Sequence, residues 1–181
     1  MTVEFIPFPK MPRLNREIVI TEKLDGTNAQ IHFTDDGQMF VGSRNKWVEP
    51  GKQDNYGFAG WCERNRNELE KLGPGTHFGE WWGNGIQRGY ELAEKRFSLF
   101  NTARWLDDNV RPACCGTVPV LYTGMFSEEA IRVTLKMLQV EGSQAAPGFM
   151  KPEGIIIYHT AAQHSFKVTL EKDESPKGMN V

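Results

Sequence analysis

Apolar and polar residues alternate without a break from Asn28 to Thr34, and this pattern constrains the fold more than any other feature. Successive side chains of a strand point to opposite faces, so the segment predicts a half-buried β-strand. The residues predicted to be buried are Ala29, Ile31 and Phe33. Asp35-Asp36-Gly37 follows and predicts a turn, because glycine adopts positive φ readily. The segment Met39–Ser43 is then predicted to return as the hairpin partner.

Further strands are predicted where β-branched, aromatic or alternating residues lie between turn residues. The predicted strands are 17–22, 76–82, 95–100, 119–122, 154–159 and 165–170. Strands that follow one another at short spacing, without a helix between each pair, favour antiparallel sheets.

Two helices are predicted. Apolar residues recur at roughly helical spacing between Asn55 and Leu72, and Gly73-Pro74-Gly75 is expected to end that helix. Ser127 is a good N-cap residue, and Ile131, Leu135 and Leu138 mark the buried face of the helix that it begins. Together with the strands, these helices predict an α+β fold in which antiparallel sheets are flanked by helices.

Size and composition favour one globular domain over residues 1–181, with 39% hydrophobic and 24% charged residues. No apolar run approaches the ~20 residues that span a bilayer, and the N-terminus does not resemble a signal peptide. The three cysteines, Cys62, Cys114 and Cys115, match neither a disulfide framework nor a zinc site, so a cytoplasmic location is expected. The net charge of −2 argues against a tight nucleic-acid binder that relies on bulk charge.

The segment that points to chemistry is Glu22-Lys23-Leu24-Asp25-Gly26-Thr27-Asn28, in which a lysine leaves a strand just before an Asp-Gly turn. On its own, this string is more often a surface lysine ahead of a turn. Other polar motifs follow it in a definite order, each next to a predicted strand. They are Ser43-Arg44, Phe78-Gly79-Glu80, Phe97 to Phe100, Pro152-Glu153-Gly154 and Phe166-Lys167.

This order of motifs resembles the covalent nucleotidyltransferase superfamily of DNA ligases, RNA ligases and mRNA capping enzymes. The resemblance runs from Glu22 to about Lys172 and implies an ATP-grasp-like adenylation domain. The segments FGEWWGNGIQRGY and RFSLFN resemble phage and bacterial RNA-ligase-like proteins in particular. Gly26-Thr27-Asn28 matches RNA ligases that seal nicks, whereas most DNA ligases and capping enzymes have arginine at the position of Asn28.

The resemblance implies an ATP-dependent RNA ligase. The Lys23 amine would attack the α-phosphate of ATP, and the AMP would pass to a 5′-phosphate end that is sealed to a 3′-hydroxyl. An ordinary lysine is almost entirely protonated at pH 7, so the site must favour the neutral amine, for example by desolvation and a nearby cation. The implied cofactors are ATP and Mg²⁺ or Mn²⁺, and the implied partner is a nucleic acid, most simply RNA, with no membrane contact.

The resemblance also assigns roles to single residues. It places Glu22 near the adenine edge, Asn28 in the nucleotide site and Arg44 at the nucleotide or the acceptor end. It implies that Glu80 accepts a hydrogen bond from the ribose and that Phe100 stacks on the adenine. Glu153 would orient the metal ion, and Lys167 would contact the phosphates and take part in catalysis. Residue chemistry agrees, since carboxylates suit hard divalent cations and a ring offers a face for stacking.

Two departures from the family pattern are visible. The last motif usually has two lysines one residue apart, but here Thr169 takes the second position, and whether Lys172 could substitute is open. No oligonucleotide-binding (OB) domain is expected within 1–181, so a protein partner could supply one. Basic residues near aromatic ones are candidates for an RNA surface, although an ordinary structural role is as plausible. These are Arg88, Lys95, Arg96, Arg104 and Arg111, with Trp82, Tyr90 and Trp105.

Two alternatives stay open at this point. The first is a DNA ligase or a GTP-using capping enzyme of the same superfamily, against which Asn28 counts. The second is a non-catalytic nucleotide- or RNA-binding module on the same scaffold, which Thr169 favours.

Overall fold

The structure is a computed structural model that describes residues 2–51 and 53–171, and within them the chain forms two β-sheets and four short or medium α-helices. The strands are β1 Glu17–Lys23, β2 Thr27–Phe33, β3 Met39–Ser43, β4 Gly75–Gly83, β5 Lys95–Leu99, β6 Cys115–Thr117, β7 Val120–Met125, β8 Gly154–His159 and β9 His164–Thr169. The helices are α1 Phe58–Arg64, α2 Arg66–Leu69, α3 Thr102–Trp105 and α4 Glu128–Glu141, and a 3-10 turn covers Glu70–Leu72.

The larger sheet has five strands in the order β3-β2-β4-β5-β6, all antiparallel except the β5–β6 pair. One face of this sheet packs on α1 and α2 and forms the main core. The alternation in β2 is confirmed, because Ala29, Ile31 and Phe33 are all buried there. Phe58 of α1 packs against Trp81 of β4 and Phe97 of β5, with ring centroids 5.3 and 4.9 Å away. The opposite face of the sheet is left open at the level of Phe78 and Phe100.

The smaller sheet has four strands in the order β7-β1-β8-β9. Ile18, Ile20, Ile155 and Ile157 form a core with Leu138 of α4, which confirms the predicted buried face of that helix. Ser127 caps α4 as predicted, since its hydroxyl accepts a hydrogen bond from the Ala130 amide at 3.2 Å. The other face of this sheet, opposite α4, carries Lys23 and Lys167.

The turn at Leu24–Gly26 connects β1 of the smaller sheet to β2 of the larger one. Glycine is required at position 26, because a Cβ atom there would lie 2.3 Å from the Trp81 carbonyl oxygen. The close approach of the turn to β4 holds the two sheets together at this point. Lys23, the last residue of β1, therefore lies where the open faces of both sheets meet.

The structure corrects several predicted boundaries. The helix predicted over Asn55–Leu72 is broken into α1, α2 and the 3-10 turn. Asn55 and Tyr56 have positive φ and so lie outside the helix, and the Asn65 side chain hydrogen-bonds the Trp61 carbonyl where α1 ends. Neither β6 nor α3 was predicted. The strand predicted to end at Tyr122 continues as β7 to Met125. Among the described residues, no helix is long and apolar enough to cross a bilayer.

Candidate active site

Lys23 and Glu153 form an ion pair at the junction of the two sheets. Lys23 ends β1 and pairs in the ladder with Gly154, the first residue of β8, so Glu153 immediately precedes the strand beside it. The Lys23 Nζ donates to the Glu153 carboxylate, and their side chains are 17% and 9% exposed, respectively. The amine is thus partly buried and held by a carboxylate rather than extended into solvent, whereas the nearby cation expected beside the nucleophile stays a prediction.

Glu80 lies on β4, next to the turn that follows Lys23. Its Oε1 accepts from the Gly26 amide at 3.0 Å and its Oε2 accepts from the Asn28 Nδ2 at 3.1 Å. Burial raises the pKa of the Glu80 carboxyl to about 7, and the charges of Glu153 and Asp25 act in the same direction. The hydrogen bond from Gly26 and the positive charge of Lys23 oppose this rise. Glu80 is therefore electrostatically coupled to Lys23 and Glu153, and the three side chains belong to one site.

Asn28 and Arg44 extend this site along the larger sheet. Arg44 follows β3, and its Nε donates to the Asn28 Oδ1 at 2.9 Å. Asn28 thus accepts from Arg44 with its oxygen and donates to Glu80 with its nitrogen, which fixes the orientation of the amide. The Arg44 side chain is exposed, so its guanidinium is open to an anionic ligand.

Phe100 follows β5 and is 41% exposed. Its amide donates to the Phe78 carbonyl at 3.0 Å, while Ser98, two residues earlier, pairs with Glu80. Residues two apart on a strand share a face, so Phe100 and Glu80 lie on the same open face of the larger sheet. A ring accessible on this face agrees with the predicted stacking role, which stays a prediction.

Lys167 lies on β9, on the same face of the smaller sheet as Lys23. The ladder places Lys167 beside Ile156, which pairs with Thr21, and it places Thr169 beside Gly154, which pairs with Lys23. Thr169 is therefore in the same row of the sheet as Lys23. Lys167 lies two residues before Thr169 on β9, in the row of Thr21. The candidate substitute Lys172 lies outside the described residues.

Glu22 is buried and has a partner for each carboxylate oxygen. Its Oε1 accepts from the Ser143 hydroxyl at 2.6 Å, and its Oε2 accepts from the amides of Gln144 and Ala145 at 2.8 and 3.0 Å. Burial raises the pKa of Glu22, against the effect of these hydrogen bonds. The predicted proximity to adenine stays a prediction, but the side chain already has a structural task, which is to anchor the loop after α4.

Asp25, Arg88 and Tyr90 form a support around the lysine turn, although the sequence analysis named Arg88 and Tyr90 only as candidates for an RNA surface. The Asp25 amide donates to the Tyr90 hydroxyl at 2.8 Å, and its Oδ2 accepts from the Arg88 Nε at 2.9 Å. Tyr90 and its neighbour Glu91 have positive φ, as does Gln87, which is uncommon for residues with a side chain. The glycine-rich string GNGIQRGY was the available signal, because such segments often hold constrained backbone near a site.

The predicted RNA surface made of basic residues and Trp82, Tyr90 and Trp105 is wrong, because all three aromatic residues are buried. Rings inside the core cannot stack on bases. The cations next to them are engaged with the protein as well. Lys95 donates to the Tyr56 carbonyl, Arg104 to the Leu72 carbonyl, Arg111 to the Cys115 carbonyl and Arg96 to Glu94.

The carboxylates of this site suit a divalent cation that also binds the phosphate groups of a ligand. Within residues 2–51 and 53–171, no three histidine, cysteine or acidic side chains are grouped as metal ligands. Mg²⁺ commonly binds one or two carboxylates and completes its shell with waters and substrate phosphates. Glu153 and Glu80, which lie close enough that the charge of Glu153 raises the pKa of Glu80, provide this smaller set.

Comparisons with known proteins agree with the geometry. Among solved structures, a variant of Naegleria gruberi RNA ligase with AMP and Mn matches with a TM-score of 0.63 and 22% identity, covering 86% of this chain and 50% of that chain. Another variant of the same ligase, with ATP and Mn, gives a TM-score of 0.65 at 21% identity, covering 91% and 53%. At this identity the matches establish the shared fold, and the chain spans about half the length of those ligases.

The comparison with curated proteins finds no significant match. A profile of the RNA ligase family matches residues 16–169, which include every site residue described above. That match covers most of the sequence, and the chain therefore belongs to the RNA ligase family.

Proposed function

We propose that this chain acts as an ATP-dependent RNA ligase, in which Lys23 is transiently adenylylated and the AMP then activates a 5′-phosphate end for sealing to a 3′-hydroxyl. The observation that carries the proposal is the partly buried Lys23–Glu153 pair, which lies in the same site as Glu80. A lysine with only a surface role would extend into solvent. This one is retained by a carboxylate at the end of a strand, beside the open faces of both sheets.

In the first step, the Lys23 Nζ loses a proton and attacks the α-phosphorus of ATP. An N–P bond forms, the bond to the pyrophosphate oxygen breaks, and pyrophosphate leaves with that electron pair. Glu153 contacts the amine and is placed to accept the proton. Arg44 supplies positive charge for the phosphates, and Phe100 offers a ring face for the base.

In the later steps, an oxygen of the RNA 5′-phosphate displaces Lys23 from AMP, and the 3′-hydroxyl then displaces AMP to form the phosphodiester. These reactions involve several negative phosphate groups in one place. Mg²⁺ or Mn²⁺ held at Glu153 would neutralise part of that charge and polarise the phosphoryl oxygens. The residues of the chain hold the reacting groups in line and keep the amine next to the nucleotide.

The first step is tested without RNA, by incubating the full chain with α-labelled ATP and Mg²⁺ or Mn²⁺. Wild type is expected to gain one covalent AMP per chain, seen as label and as an intact-mass shift. Lys23→Ala should gain none. Lys136→Ala, a surface lysine of α4 that contacts Gln139, is the matched control and should label like wild type. Equal labelling of Lys23→Ala would reject the proposal.

The finer assignments need their own comparisons. α-labelled GTP against ATP separates a capping-type enzyme from a ligase, and nicked RNA against nicked DNA separates the two kinds of ligase. Nucleotide binding without covalent transfer would favour the non-catalytic module, for which Thr169 at the lysine position is the specific observation. A requirement for a partner that binds nucleic acid would appear as labelling without sealing by this chain alone.

A further inference from the structure

Three aromatic rings lie together on the outer half of the β2–β3 hairpin: His32, Phe40 and Trp47. The ring centroids are 6.4 Å apart for His32 and Phe40, 6.3 Å for His32 and Trp47, and 5.9 Å for Phe40 and Trp47. Phe40 is 42% exposed and Trp47 is 55% exposed, although rings of this size gain most when buried. The Thr76 hydroxyl lies 2.8 Å from the His32 Nδ1 and orients that ring. A cluster of rings open to solvent indicates a contact surface.

The cluster lies on the same sheet face as the active site. Asn28 and His32 are both on β2 and an even number of residues apart, so their side chains share a face, and Asn28 contacts Glu80. The backbone from Asn28 to His32 spans about 13 Å at ~3.3 Å per residue. Bases stacked at ~3.4 Å would cover that distance with about four nucleotides.

Two basic residues lie near the stretch of the sheet between Asn28 and the three rings. Arg44 and Lys46 are exposed and lie in the segment between β3 and Trp47, and Arg44 reaches back to Asn28. The acidic residues Asp35 and Asp36 lie at the outer turn of the hairpin, beyond the rings. The charges therefore favour a phosphate chain between the active site and the rings, and they disfavour its continuation past the turn.

We propose that His32, Phe40 and Trp47 form a stacking platform for single-stranded RNA, about four nucleotides from the reacting end, with Arg44 and Lys46 along its phosphates. The inference rests on the proposed function and adds the direction in which the RNA leaves the site. Stacking suits this role because every base has a π-face, and each stacked base strengthens binding about 5-fold to more than 100-fold. Exposed rings on a rigid hairpin provide such contacts without needing a particular base.

The test measures binding of 3′-labelled, 5′-phosphorylated RNA by fluorescence anisotropy, with an octanucleotide that reaches the rings and a dinucleotide that does not. Trp47→Leu keeps apolar bulk but loses the π-face, and we expect at least about 5-fold weaker octanucleotide binding with unchanged dinucleotide binding. Trp47→Tyr should bind like wild type. Phe40→Leu should behave like Trp47→Leu. The matched control is Phe166→Leu, another exposed ring, on the face of β9 opposite Lys167.

Lysyl-AMP formation without RNA is measured on the same samples, so that the two proposals are judged separately. It should be unchanged in Trp47→Leu and Phe40→Leu. Wild-type binding of the octanucleotide by both variants would overturn the platform, including the case in which this face docks a protein instead. Loss of lysyl-AMP formation in both would overturn it too, since the effect would then arise in the active site. If wild type forms no lysyl-AMP but octanucleotide binding depends on Trp47, the ligase assignment fails and the platform stands.

Discussion

Arg88 joins the two chain segments that bring Lys23 and Glu153 together. Its Nε donates to the Asp25 carboxylate at 2.9 Å, and its Nη1 donates to the Lys151 carbonyl at 3.0 Å. Asp25 lies two residues after Lys23, and Lys151 lies two residues before Glu153. A single guanidinium therefore fixes the distance between the nucleophile's turn and the strand entrance that carries its partner carboxylate.

Removing this link is expected to slow the first chemical step. Arg88→Met should lower the rate of lysyl-AMP formation by about 10-fold or more, because small displacements of reacting groups are costly. The ATP concentration for half-maximal rate should change less, since Arg88 is engaged with Asp25 and Lys151. Arg88→Lys retains the charge but not the forked geometry, so it should recover only part of the rate. Single-turnover labelling at several ATP concentrations measures both quantities.

Arg96→Met is the control for the charge change. Arg96 is exposed, donates to Glu94 and lies over the Trp82 ring at 5.9 Å, whereas Arg88 donates to Asp25 and Lys151. Its loss should leave the labelling rate near that of wild type. If Arg88→Met labels as fast as Arg96→Met, the link is not a positioning contact.

Local sequence patterns were sufficient for the elements that position the nucleophile. The alternation that buries Ala29, Ile31 and Phe33 is a property of β2 alone, and the Asp-Gly turn after Lys23 is visible in the local sequence, although Tyr90 and Glu80 hold it in place. The order of short motifs also predicted that Lys23, Glu80 and Glu153 belong to one site. This succeeded because each motif lies at or next to a strand, and the ladders of two sheets bring these positions together.

The remaining features depend on contacts between distant parts of the chain. The partners of Glu22 lie in the loop from Ser143 to Ala145, and no periodicity within β1 indicates them. The break at Asn65 follows from a side chain that competes for the Trp61 carbonyl within a helical pattern. Whether an aromatic residue is exposed depends on packing too, which is why Trp82 was a wrong candidate for RNA contact and Trp47 had no assignment.

Glu80 makes stability depend on pH in a direction opposite to that of most carboxylates. Its pKa of about 7 lies above the ordinary value of 4.5, so the folded state binds the proton more tightly than the unfolded state. The resulting stability is fully present below pH 4.5 and is lost as the pH rises through about 7. Glu80→Gln removes this proton linkage. Between pH 4.5 and 8, the stability of the variant relative to wild type should rise by about 3 kcal/mol.

Urea unfolding of both proteins without nucleotide, at intervals of pH, measures this difference. Groups that do not interact with Glu80 titrate alike in both proteins and cancel in the subtraction, including Glu22, whose pKa is also raised by burial. A difference that stays constant from pH 5 to 8 would show that Glu80 has no unusual affinity for a proton in the folded state.

Glu22 offers a matched pair of substitutions. Glu22→Gln can keep the bonds from the Gln144 and Ala145 amides with its amide oxygen, while its NH₂ donates to the Ser143 hydroxyl, which must then turn its own proton to another acceptor. Glu22→Ala leaves these buried donors without a partner, which we expect to cost about 3 kcal/mol or more of unfolding free energy. Urea unfolding at pH 7 should therefore separate the two variants clearly. Equal stability of both would mean that the loop does not depend on this side chain.

Thr169 provides a way to restore a charge that the motif usually has. It lies in the same row of the sheet as Lys23, across Gly154, so a lysine there would extend from the same face beside the nucleotide site. A second cation near the phosphates and near the Lys23 amine favours both ATP binding and the neutral nucleophile. Thr169→Lys should lower the ATP concentration for half-maximal labelling by about 5-fold, which corresponds to ~1 kcal/mol of added attraction.

Ser165→Lys separates local placement from added net charge. Ser165 is on the same face of β9 but pairs with Tyr158, about 13 Å along the strand from Thr169 at ~3.3 Å per residue. Exposed charges at that separation are largely screened at physiological salt, so this variant should label like wild type. An equal gain from both substitutions would point to bulk attraction of ATP. A gain from Thr169→Lys alone, declining as salt is added, would mean that position 169 faces the bound phosphates and that threonine there limits the first step.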